Sequence, residues 1–153
     1  MANASNAALV QFPQNTGASQ TVTHFGIGYA SAGAGVLYGS SVFTLVGGST
    51  DRVIAASATP LFAIGELDVN LTTTGTDFET AFLQNVLKLY FQNVDHASIG
   101  DAAGLQNSAA DGNIYVSLHT ADPAGGNQTT SEATYTGYAR VAVARTAVAW
   151  TVA

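Results

Sequence analysis

Apolar and polar positions alternate through much of residues 1–72. In TVTHFGIGY (21–29), Thr23, Phe25, Ile27 and Tyr29 share one parity, and in ELDVNL (66–71) Leu67, Val69 and Leu71 do the same. A period of two puts such residues on one face of a strand, with the polar set on the other. ALVQF (8–12), stopped by Pro13, reads as a further strand, as does DRVIAA (51–56) after a Gly-Gly-Ser-Thr turn. GVLYGSSVFTLVG (35–47) reads as two short strands or one strand bent at Gly39.

The period changes in TTTGTDFETAFLQNVLKLYFQ (72–92), where Phe78, Phe82, Val86, Leu89 and Tyr90 recur at steps of three and four. That spacing predicts a helix over about 77–91. Thr76 and Glu79 have the spacing of a capping box, and Asp77 and Glu79 fall in the first turn, where the helix dipole favours negative charge. Leu83, Leu87 and Phe91 widen the apolar stripe beyond what one sheet face covers. The helix is therefore expected to pack on a sheet and to present Phe78, Phe82, Val86 and Leu89 to a neighbouring subunit.

After the helix, 93–113 is rich in Ala, Gly, Asn and Asp and reads as a long loop with one helical turn near Leu105. Strands resume with IYVSLHT (114–120), YARVAVART (138–146) and AVAWTV (147–152), the first two separated by a polar loop at 121–137. Trp150 is assigned to the core with Val148 and Val152 on its side. Short strands parted by Gly/Ser/Thr turns, with one helix, predict a mainly-β fold: a single domain over residues 1–153, a sandwich of jelly-roll type with the helix packed on it.

Composition narrows the function. A chain of 153 residues is one domain by length and buries enough surface to fold without staples. It has no cysteine, which excludes disulfides and thiolate metal sites. Four basic residues against ten acidic ones, a net charge of -6 and no basic cluster argue against nucleic-acid binding. Charged residues make up only 9% of the chain, against about 25% in an ordinary soluble domain. So little charge leaves a weakly polar surface, which is expected to be covered by copies of the chain or by another partner. Apolar runs are too short to span a bilayer, and MANASNAALVQFP lacks the pattern of a secretory signal.

Few residues offer chemistry. In IYVSLHTADP (114–123), His119 falls on the parity opposite to Ile114, Val116 and Leu118, at the end of the strand, and Asp122 precedes Pro123 at a turn. Asp122 suits a turn cap, and a metal site would need His24 and His96, which lie in unrelated elements. No G-x-S-x-G elbow occurs, and GYASAGAGVLYG (28–39) lacks the Lys-Ser/Thr ending of a phosphate loop. Glu66 and Asp68 share a strand face and read as a solvated pair rather than a glycosidase dyad. Arg140 and Arg145 flank an apolar strand and suit either an acidic partner or protection of an edge. Tyr135 and Tyr138, in and beside the 121–137 loop, are candidates for stacking on a sugar. No catalytic residue, cofactor or metal ligand is assigned.

IYVSLHTADP, TSEATYTGYARVAVAR, SNAALVQFP, VTHFGIGYASAGAGVLYGS and LFAIGELDVNL together resemble a family of small bacteriophage virion proteins of the tail-fibre-like kind. The resemblance covers residues 3–71 and 76–152, in an order that departs from the family's: there the helix and LHTADP come first. It implies a circular permutation, in which AVAWTVA and NASNAALVQFP would be joined as strand, turn and strand. It also implies a non-enzymatic subunit located in the virion, a homo-oligomer that also contacts other capsid or tail proteins. Compact size favours capsid decoration. The alternative is a tail-fibre or tail-tip component that binds a receptor or host-surface glycan. A metal-dependent hydrolase is the third class considered.

Overall fold

The computed structural model describes residues 2–43, 51–71, 78–97, 99–100, 104–123 and 125–153. The fold is mainly β with one helix, as the alternation predicts. In chain order the elements are β1 (Ala2–Asn6), β2 (Val10–Gln11), β3 (Gln20–Val22), β4 (His24–Gly28), β5 (Leu37–Val42), β6 (Arg52–Ile54), β7 (Leu61–Phe62) and β8 (Asp68–Leu71). Then come α1 (Thr80–Gln92), β9 (Asn113–His119), β10 (Val141–Ala144) and β11 (Trp150–Val152).

Two antiparallel sheets carry the fold, a three-stranded one ordered β11-β1-β8 and a four-stranded one ordered β10-β9-β4-β5. Two ribbons, β2-β7 and β3-β6, complete it. Among the described residues the arrangement is that of a β-rich single domain with several antiparallel sheets and one helix. The strand at 21–29 is divided between a ribbon and the larger sheet. Phe25 and Ile27 are buried as their parity predicts, whereas Tyr29 lies past the end of β4 and is exposed.

α1 packs against β1 and β11. β1 turns Ala2, Ala4 and Asn6 inward, and its alanines let the helix backbone come close. Leu83, Leu87 and Phe91 form the buried line of the helix, with Phe91 edge-on to Trp150 at 4.7 Å. Glu79 occupies the N-cap position without a side-chain cap bond, so α1 begins later than the expected capping box; Thr76 and Asp77 lie outside the described residues. At the other end Asn93 adopts the left-handed conformation (φ 55°) that ends helices, and its amide reaches the carbonyl of Ser108 at 3.0 Å. The following loop is thereby tied to the helix. It forms a bridge between His96 and Leu105 where a helical turn was expected.

A file of aromatic rings joins the ribbons to the larger sheet: Phe25 to Phe43 at 5.9 Å, Phe43 to Phe62 at 5.1 Å, Phe62 to Phe12 at 5.6 Å. Asn6 shows how a buried polar side chain is accommodated in this core, by bonding to backbone groups. Asn6 is fully enclosed; its amide donates to the carbonyls of Ala8 and Ala63, both at 2.8 Å, and its oxygen accepts from Leu67 N–H at 3.0 Å. Trp150 is fully buried and Val152 half-buried, but Val148 is 82% exposed because it precedes β11 in a turn.

Candidate functional site

β9 carries the start of the LHTADP stretch, Leu118 and His119, to a buried strand end. Its inner face carries Ile114, Val116 and Leu118 into the core, and Ser117 and His119 do occupy the opposite face. Ser117 and His119 are buried on that face, because the loop after β9 folds back over it. Thr120 N–H donates to Ser131 and Ala133 N–H to Leu118, both at 2.8 Å, and Gln128 is inserted above β4. The cover is so close that a Cβ on Gly26 would lie 2.6 Å from His119 Nε2 and 2.7 Å from Ser117 Oγ, so only glycine fits there.

His119 is fully buried. Its Nδ1 lies 2.8 Å from the carbonyl of Thr130, which can only accept, so Nδ1 carries the proton and Nε2 accepts from Ser117 Oγ at 2.8 Å. Burial lowers its pKa below the ordinary histidine value, with the Thr130 carbonyl opposing that shift. The Ser117–His119 contact has the reach of a nucleophile and base, but both side chains are sealed from any substrate. His24 is the register partner of His119 and bonds Thr23 Oγ1 at 2.7 Å, while His96 packs on Phe82 of α1. Among the described residues no group of three or more His, Asp or Glu side chains is placed to hold a metal ion.

Tyr135 and Tyr138 are turned into the fold, with their hydroxyls bonded within the chain. Tyr135 is 5% exposed and donates its hydroxyl to the carbonyl of Pro13 at 3.1 Å; burial pushes its pKa up to about 12. Tyr138 stacks on Phe12, accepts from Leu118 N–H at 3.1 Å and donates to Glu132 at 2.9 Å; burial raises its pKa strongly. Arg140 is likewise spent within the chain. Its guanidinium forks onto Glu132 at 2.6 and 2.7 Å and donates to the carbonyls of Ala30 and Gly33. The hydrogen bond to Glu132 raises its pKa further. Glu66 and Asp68 have separate partners: Glu66 accepts from Ala63 N–H at 2.7 Å and Asp68 from the amides of Asn3 and Asn70.

The four interface candidates of the expected helix separate into two groups, and Phe78 lies just before α1. Phe78 is 57% exposed and stacks on half-buried Phe82 at 5.2 Å. Val86 and Leu89 instead line two adjoining cavities between α1 and the larger sheet. These cavities centre on Tyr38 and Tyr90, neither of which the sequence marks as a ligand contact. A register shift in the β4–β5 ladder pairs Ile27 with Gly39 and Gly28 with Leu37, which leaves Tyr38 as an extra residue. Such a bulge re-aims side chains, and here Tyr38 and Gly39 line the same cavity. Tyr38 meets Tyr90 edge-on at 5.4 Å, and its pKa is raised by burial, then by Tyr90, with Arg145 opposing. Arg145 caps the end of α1, donating to the carbonyls of Tyr90 at 2.7 Å and Leu89 at 2.6 Å.

The class that fold and site define is a mainly-β chain with one helix and a tyrosine-lined depression beside it. No protein-family model matches the chain, and no curated protein or solved structure is significantly similar to it.

Proposed function

We propose that this chain is a non-enzymatic structural subunit of a bacteriophage particle, a capsid decoration protein that acts through its surfaces. The observation that carries the reading is the apolar exterior. Val148 is 82%, Ile64 70%, Val53 64% and Phe78 57% exposed, on a chain with only 9% charged residues. Side chains of this kind lose free energy when a neighbour covers them, about 25 cal/mol per Å² before association costs. The resemblance to small virion proteins supplies the particle. The antiparallel pairing of β1 with β11, Ala4 opposite Val152, is the arrangement a permuted chain order requires and supports that reading too.

Light scattering on the purified chain tests the surface argument. We expect a closed homo-oligomer at micromolar concentration and a smaller species for Phe78→Asp. A chain that stays monomeric at every concentration overturns the reading. A tail-tip role in receptor or glycan binding is the second reading, favoured by the depression around Tyr29, Tyr38 and Tyr90.

A further inference from the structure

The two adjoining cavities differ in character. The inner one, about 240 Å³, is walled by Ile27, Gly39, Val69, Leu87, Phe91 and Ile114. An apolar cavity of about 150 Å³ stays dry and takes a benzene, so the inner space is large enough for a larger apolar group. The outer one, about 520 Å³, is bordered by Tyr29, Tyr38 and Tyr90 together with Gln106, Ser108 and Arg145. Tyr38, Tyr90 and Ile114 belong to both, so one occupant can reach from one space into the other. Such an occupant is amphipathic, with its apolar part inside and its polar part outside.

Arg145 decides the charge of the polar part. Its Nε and Nη2, the pair that would fork onto a carboxylate or phosphate, already donate to Tyr90 and Leu89. Its Nη1 faces Ser108 Oγ at 3.3 Å and the carbonyl of Asp111 at 3.4 Å. The side-on fork is taken up by the helix end, and the net charge of -6 disfavours an anion further. What the outer space offers is tyrosine rings, which have apolar faces and a polar tip, among neutral hydrogen-bonding groups. We propose that this site binds a single-chain glycolipid-like amphiphile: a neutral sugar against Tyr29, Tyr38 and Tyr90, and a short alkyl chain in the inner cavity. The proposal goes beyond the virion reading and does not depend on it.

The test uses the purified chain and n-octyl glucoside, titrated below its micellar concentration and followed by calorimetry and tyrosine fluorescence. The expected result is saturable one-to-one binding. Free glucose binds more than about tenfold more weakly because it forfeits the buried methylenes. Octanoate is also weaker, because its carboxylate finds no fork. A Cβ built on Gly39 meets only Val69 Cγ1, at 3.9 Å, so Gly39→Val has room to fill the inner cavity. That variant keeps or raises the thermal midpoint and loses the glucoside. Tyr90→Ala, at an exposed helix position, weakens the glucoside without unfolding the chain. Association only above the micellar concentration, octanoate binding as tightly as the glucoside, or Gly39→Val binding like the parent chain overturns the proposal.

Discussion

His119 carries the clearest pH signature of any single residue. Its folded pKa lies below the unfolded value of about 6.5 because the buried ring is held neutral. As pH falls through that value the unfolded chain takes up the proton first. The contribution is therefore complete above about pH 6.5 and is lost progressively as the pH drops toward the folded pKa. Urea unfolding at pH 7.5 and 5.5 should give a lower midpoint at the acid pH, and His119→Gln should reduce the difference. Arg140 makes a second case. The ion pair with Glu132 is largely enclosed, with side-chain exposures of 2% and 15%. Arg140→Ala should cost about 3 kcal/mol in denaturant unfolding, mostly from the carboxylate left behind. Arg140→Lys should recover little of it, since an ammonium cannot reproduce the fork and also reach the Ala30 and Gly33 carbonyls.

Between residues and the whole, α1 and β9 show what the sequence makes readable. The helix is legible because its 3.6 period is local, and the later strands because theirs is two. Its start falls later than the sequence spacing suggests: Glu79, which the capping pattern places inside the helix, is itself the N-cap residue and makes no side-chain cap bond. Its buried line, Leu83, Leu87 and Phe91, was weighed below the flanking stripe because helical period alone does not say which side meets β1. His119 was placed on the correct face, but its burial depends on a loop that returns from 121–137, which no local pattern encodes. The depression was not legible because Tyr29, Tyr38 and Tyr90 are brought together by a bulge and a helix far apart in the chain. At this scale Arg145 is the testable link. Removing it frees the Leu89 and Tyr90 carbonyls, and Arg145→Ala should cost about 1–2 kcal/mol. Faster amide exchange confined to the last turn of α1 would locate the loss.

For the molecule as a whole, the seam between β1 and β11 is the informative join. Asn3 and Ala153 exchange both backbone hydrogen bonds, at 3.0 and 3.1 Å. A short glycine-rich link from Ala153 to Ala2, with new ends opened in the TTTGTD sequence (72–77), should give a protein with the same far-UV spectrum and a two-state unfolding transition. Failure of that rearranged chain to fold would remove the permutation reading.

β9 lies between β4 and β10 and is covered on both faces along most of its length. Water reaches its peptide groups only when the entire structure opens. In heavy water the Val116, Ser117 and Leu118 amides should therefore keep their protium longest, and their decay would serve as an internal clock for global unfolding, readable in native buffer without denaturant.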